Sequence, residues 1–307
     1  MKKIIIAAVI AVAGYFAWTS PTAGEWIYQT ATDVEAKLYG LEQRGVDIGE
    51  LEMQTYVGGN PNGQAIVMIH GYSADKDVWP RFAKHFLDDY YVIIPDLAGH
   101  GDTGFDPSWD YSGPAQARRV AKLMDALEVE QAHIVGNSMG GFITGWFARL
   151  FPARSLSATP MDPGGVDSPI PSDMGKMLAE GKNPFLIQTT EDFQRFYPMT
   201  MAKPPFLPPS VLAAMAEQYI ARKPELDAIF PYIHGRDGLL DELAQIPVPV
   251  MVMWGDQDRL LHVSAGQVWV DGLPNGRLKI FEGIGHMPMV EIPADSAAVY
   301  REFLNSL

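Results

Sequence analysis

The chain has 307 residues, 47% of them hydrophobic, enough for one large domain with an insertion or for two small ones. A formal net charge of −14 excludes nucleic acid as an expected partner, because phosphate binding needs clustered Lys and Arg. The absence of cysteine removes disulfide frameworks, Cys-ligated zinc and thiol nucleophiles from consideration.

Lys2 and Lys3 precede a stretch from Ile4 to Gly24 without a charged residue. As a helix, that stretch would span about 30 Å, the thickness of a bilayer core. Residues 1–24 are therefore expected to form a transmembrane anchor, with Trp18, Trp26 and Tyr28 at the outer interface. The alternative is a signal peptide that is cut off, although Pro21-Thr22-Ala23-Gly24 is a poor cleavage site. Lys2 and Lys3 before the span, against mostly acidic residues from Glu25 to Glu50, place the N-terminus in the cytoplasm and the main domain outside it. Residues 25–48 form the next segment. Trp26, Ile27, Thr30, Val34, Leu38 and Leu41 recur at three- and four-residue steps, which predicts an amphipathic helix. Its apolar stripe either packs on the domain's own surface or meets lipid or a second subunit.

The segments 49–162 and 247–307 read as a core of alternating strands and helices. Leu51–Tyr56 alternates as a strand, and Ala65–His70 and Tyr91–Pro95 are continuous apolar runs of the kind buried in a parallel sheet. Ser112–Leu127 reads as a helix, followed by a strand at Ile134-Val135. Then comes Gly136-Asn137-Ser138-Met139-Gly140-Gly141, leading into a second helix. Strand, Gly-x-Ser-x-Gly and helix form the nucleophile elbow of α/β-hydrolases. Alone, such a pentapeptide could equally be a solvated serine in a glycine-rich turn. Ser155–Thr159 is a weaker strand. Between residues 163 and 246 prolines and aromatics accumulate and the sheet rhythm stops, which predicts a mostly helical cap inserted over the site. Val250–Trp254 and Leu278–Phe281 resume the sheet, and a helix over Ala294–Leu307 closes the chain.

A serine hydroxyl needs a base to take its proton and an acid to orient that base. His286 lies just past one strand, and Asp258 just past the strand before it. Ser138, Asp258 and His286 follow the chain order that this elbow requires, each at the C-terminal end of an expected parallel strand. Asp256 is read as a brace of the turn, and Asp162, also after a strand, is the remaining candidate acid. The oxyanion hole is expected from the backbone N–H groups of Tyr72, after His70-Gly71, and of Met139. His70, Asp96 and His100 are read as structural. No metal or cofactor is expected.

These motifs cover nearly the whole chain and resemble the α/β-hydrolase superfamily. The anchor, the cap and Met68-Ile-His-Gly-Tyr-Ser-Ala-Asp-Lys-Asp-Val-Trp79 are similar to membrane-anchored monoacylglycerol lipases and bacterial single-span inner-membrane phospholipases A. That resemblance implies a mostly parallel sheet flanked by helices, an inserted helical cap and an N-terminal transmembrane helix. It implies a serine carboxylic-ester hydrolase releasing fatty acids from membrane glycerolipids or lysolipids, with the catalytic domain facing the periplasm. It also implies a homodimer through the transmembrane and juxtamembrane helices. Where phenylalanine is common, Tyr72 is expected to matter only through its backbone. The alternative activity is that of a carbon–carbon bond hydrolase of aromatic ring-cleavage products, which often carries the same elbow.

Overall fold

The computed structural model describes residues 14–15, 18–234 and 238–307. Most of the expected 1–24 anchor lies outside these residues. Among the described residues no helix is long and apolar enough to cross a membrane.

Helix α1 spans Pro21–Tyr39. Ser20 caps its start by accepting from Ala23 N–H, and Pro21 supplies a preset φ for the first turn. Gly40, at φ 88°, ends it with its N–H on the last-turn carbonyls. The helix expected over 25–48 is thus too long. Leu41–Asp47 is instead strand β1, paired antiparallel with β2 (Glu52–Gly59) from Leu41↔Gly58 to Asp47↔Glu52. Leu41, read as the end of a helical stripe, points into the core from this strand. The stripe itself also faces the other way from one expectation. Trp26, Val34 and Leu38 are exposed, at 68%, 49% and 79%, while Gly24 and Ala36 are the buried residues of α1. The helix docks on the domain by its small-residue side and leaves its apolar stripe outward.

The remaining elements alternate. They are β3 (Ala65–Ile69), α2 (Pro80–Ala83), β4 (Tyr91–Pro95), α3 (Gly113–Ala126), β5 (Ala132–Asn137), α4 (Met139–Leu150) and β6 (Ser155–Met161). After them come α5 (Asp173–Ala179), α6 (Thr190–Thr200), α7 (Pro209–Ala221) and α8 (Lys223–Ile233), with no strand among the described residues of this stretch. The chain ends with β7 (Val250–Gly255), α9 (Ser264–Gly272), β8 (Gly276–Phe281), α10 (Pro288–Glu291) and α11 (Pro293–Leu304).

Among the described residues the eight strands form one sheet in the order β1-β2-β4-β3-β5-β6-β7-β8. Its first two pairings, β1–β2 and β2–β4, are antiparallel, and every later one is parallel. β3 and β5 are buried along their whole length because helices cover both faces of the sheet. On one face, Val120 and Leu123 of α3 and Ile143 and Phe147 of α4 pack on Ile69, Ile93 and Ile134. On the other, Phe82, Phe86 and Trp79 meet Tyr300 and Phe303 of α11. All the parallel strands end at the same side of the sheet, so their C-terminal loops converge there.

α1 lies against α7 at very close range. A Cβ placed on Gly24 would come within 2.0 Å of Ser210 O. Gly24→Val should push the two helices apart and destabilise the fold by about 1–3 kcal/mol. The check is a lowered Tm with the far-UV signal of the sheet kept; an unchanged Tm would mean that α1 is not docked there.

Candidate active site

β5 runs directly into Ser138, whose backbone sits at φ 58°, ψ −116° before α4 begins at Met139. A non-glycine residue in such a sparsely populated region costs about 1–3 kcal/mol and persists only if its surroundings enforce it. Here three hydrogen bonds do so: Ser138 N–H donates to Met161 O at 2.9 Å, and Ser138 O accepts from Phe142 N–H at 3.0 Å and Gly164 N–H at 3.1 Å. The turn closes only because its neighbours have no side chains. A Cβ on Gly136 would stand 2.3 Å from Gly140 O, and one on Gly140 would stand 2.2 Å from Ile69 O. The serine therefore stands at the start of α4, where unpaired N–H groups and the helix dipole favour negative charge.

His286 follows β8 and Asp258 follows β7, and both are buried. His286 Nδ1 is 2.7 Å from Asp258 Oδ2. Asp258 Oδ1 accepts from Leu260 N–H at 2.8 Å and Leu261 N–H at 3.0 Å, which fixes the carboxylate plane. With Nδ1–H donating to Asp258, Nε2 is left as the basic nitrogen. Asn137 Nδ2 donates to His286 O at 2.8 Å and to Met161 O at 3.3 Å, tying the histidine loop to the elbow. Ser138 and His286 line one cavity. Among the described residues no hydrogen bond joins their side chains, a contact that commonly forms only when substrate is bound. Asp256 Oδ1 accepts from Gly283 N–H at 2.7 Å and so braces the turn. Asp162 lies beside Asp258 and His286, with one ligating atom from each of the three within 4.8 Å of the others.

The loop after β3 brings Gly71 and Tyr72 to the same cavity. His70 holds that loop: Nδ1 is 2.8 Å from Gly71 O and Nε2 accepts from Leu97 N–H at 3.0 Å. Burial pushes its imidazole down to about 4, so it stays neutral and serves as a strut. Asp96 and His100 are also buried outside the cavity wall. Asp96 accepts from Lys76 N–H and from Lys76 Nζ at 2.7 and 2.9 Å. The Tyr72 side chain departs from expectation. Its hydroxyl donates to Leu226 O at 2.7 Å, and its ring packs edge-on against Phe185 at 5.1 Å. Ser73 Oγ pairs with Tyr219 hydroxyl at 2.9 Å. The segment between β6 and β7 thus grips the loop that carries the Tyr72 N–H.

The cavity measures about 220 Å³ and is mostly apolar. Phe193, Phe196, Met215 and Leu207 line it from the helical segment, and Val290 from α10. Tyr28, Thr32 and Glu35 of α1 also reach it, a contribution that periodicity could not reveal because these residues lie off the apolar stripe.

Residues 64–293 match the alpha/beta hydrolase fold family. The chain is 34% identical over 273 residues to Lipase 1 of Psychrobacter immobilis, covering 87% of this chain and 85% of that protein. It is 28% identical to Monoacylglycerol lipase abhd6-B of Xenopus laevis, over 87% of this chain and 83% of the other. Among solved structures it is similar to a membrane phospholipase A, described as a novel bacterial virulence factor. There the TM-score is 0.90 and the identity 33%, with 100% of this chain and 99% of the other covered.

His70 and His133 are both buried and held down to about 4 by desolvation. The unfolded chain takes up these protons near its ordinary histidine value, so it binds more protons than the native state between about pH 6.5 and 4. The contribution of these two rings to stability should be full above that window and lost across it, on the order of 6 kcal/mol in total. Denaturant titrations at pH 7.5 and 4.5, with NMR titration of the imidazoles, check this; either ring titrating near pH 6.5 in the native state would contradict it.

Proposed function

The chain belongs to the α/β-hydrolase family, and we propose that it is a serine carboxylic-ester hydrolase of the lipase or phospholipase type. The observation that carries this is one mostly apolar cavity lined by a strained elbow serine and by a histidine whose ring is backed by a buried aspartate. Ser138 Oγ attacks the acyl carbonyl and passes its proton to His286 Nε2. Asp258 keeps the imidazole oriented and stabilises its positive charge. The carbonyl oxygen becomes an anion facing the N–H groups of Tyr72 and Met139. As the ester C–O bond breaks, His286 returns the proton to the leaving alcohol. A water molecule, deprotonated by His286, then attacks the acyl-enzyme and releases the fatty acid with Ser138 regenerated. The helical stretch 163–246 acts as the cap that receives the acyl chain.

Ser138→Ala should lower hydrolysis of p-nitrophenyl acyl esters by about 10⁴-fold or more, with the circular dichroism spectrum and Tm unchanged. Retained ester hydrolysis would end this assignment. Turnover of a vinylogous diketone acid without turnover of esters would favour the carbon–carbon hydrolase instead.

The substrate class is the fatty acyl ester of a membrane glycerolipid or lysolipid. The uncharged stretch before α1 and the outward stripe of Trp26, Val34 and Leu38 support attachment to a bilayer, with the catalytic domain on the periplasmic side. Trp18 and Phe206 stack at 6.4 Å as a further exposed aromatic pair, at 50% and 78% exposure. The same stripe suits a homodimer through the N-terminal helices. Deleting residues 1–19 keeps the Ser20 cap and the docked Gly24. It should therefore move the protein from the membrane pellet to the supernatant while short esters are still cleaved; continued pelleting would mean that the anchor is not the only attachment.

A further inference from the structure

Asp162 follows β6 as Asp258 follows β7. These strands run parallel, with Met161 opposite Met253, so two carboxyl groups arrive at the same end of the sheet. Asp162 is fully buried and sits at φ 43°, a conformation that L side chains seldom adopt. Its Oδ1 accepts from Gly255 N–H at 2.9 Å. Its Oδ2 is buried without a conventional donor. A buried, strained residue with an orphan oxygen beside the reacting histidine calls for a role.

Two carboxylates this close, in a dry site, cannot both carry charge. Three donors converge on Asp258, namely Leu260 N–H, Leu261 N–H and His286 Nδ1–H. Asp162 has the single donor of Gly255. The anion is therefore better held on Asp258 and the proton on Asp162 Oδ2, which turns the orphan oxygen into an O–H donor. Burial first, and then the charge of Asp258, push the Asp162 carboxyl well above the ordinary carboxylate range; Glu291 adds to the effect. Glu291 is itself occupied by Gly285 N–H and Lys203 N–H at 2.9 and 2.8 Å.

We infer that Asp162 is a positioning residue for ester hydrolysis, whose carboxylic acid donates a hydrogen bond to Asp258 and so holds that carboxylate square to His286 Nδ1. This rests on the reading of Ser138, His286 and Asp258 as the reacting set. The donated bond completes the donor shell of Asp258 and limits its basicity, which sets how readily His286 binds a proton. β6 thus contributes to the reaction through β7 without touching substrate.

The test is the pH profile of kcat/KM on a soluble p-nitrophenyl ester. Asp162→Leu removes the donor and should lower kcat about tenfold or more with little change in KM, moving the acid limb up by about half a pH unit. Asp162→Asn keeps an N–H donor and an acceptor without charge. It should recover most of the rate lost in the leucine variant, with its acid limb within about 0.3 unit of the parent. A drop of the acid limb by about one unit in Asp162→Asn would show that an ionised carboxylate had been removed, and would overturn the inference. So would a leucine variant that loses Tm but keeps kcat and the acid limb, since Asp162 would then be only a brace for Gly255. If the leucine variant does not fold, the asparagine profile decides alone. Hydrolysis surviving Ser138→Ala would instead undo the underlying assignment; a dead Ser138→Ala enzyme with a shifted Asp162→Asn limb would sink only this inference.

Discussion

The strained backbone of Ser138 is the constraint on which the site depends. Its φ and ψ are held by Met161 O on one side and by the N–H groups of Phe142 and Gly164 on the other. Those partners belong to β6, α4 and the loop after β6, so the serine is positioned by three separate pieces of the chain. The same carbonyl of Met161 also accepts from Asn137 Nδ2, whose second bond reaches His286 O. Elbow and histidine loop are therefore registered against each other by backbone groups before any side-chain chemistry. Local strain of a few kcal/mol is tolerable because the parallel sheet beneath is buried on both faces.

A second set of bonds joins the reacting centre to the helical stretch above it. Tyr72 hydroxyl reaches Leu226 O in α8, Ser73 pairs with Tyr219 in α7, and Arg222 donates to Gly99 O at 2.8 Å. The first two grip the loop that carries the Tyr72 N–H. α7 and α8 thus hold the loop of the proposed oxyanion donors and also supply Met215, Tyr219 and Leu226 to the cavity wall.

α1 adds a third connection. It docks through Gly24 and Ala36, sends Tyr28, Thr32 and Glu35 to the cavity, and presents Trp26, Val34 and Leu38 outward. One helix thus has one side in the cavity wall and an exposed apolar stripe on the other.

Read alone, the residues specify the hydrolase family and the scaffold of its sheet. Continuous apolar runs at Ala65–Ile69, Tyr91–Pro95 and Val250–Gly255, punctuated by Gly and Asp at their ends, report a buried parallel sheet because burial on both faces demands unbroken hydrophobicity. Gly-x-Ser-x-Gly is legible because a strained turn excludes side chains on its neighbours. Tertiary structure alone decided the rest. Leu41–Asp47 followed the helical stripe in sequence but pairs with β2, since Gly40 stops the helix and a partner strand is available. The orientation of α1 was set by which face fits α7 at close approach, a matter of small residues that hydrophobic periodicity ignores. Tyr72 hydroxyl found Leu226 across 154 positions, and Asp162 came to lie beside Asp258 and His286 through strand adjacency. Such long-range meetings are fixed by sheet order and packing, which local residue patterns do not encode.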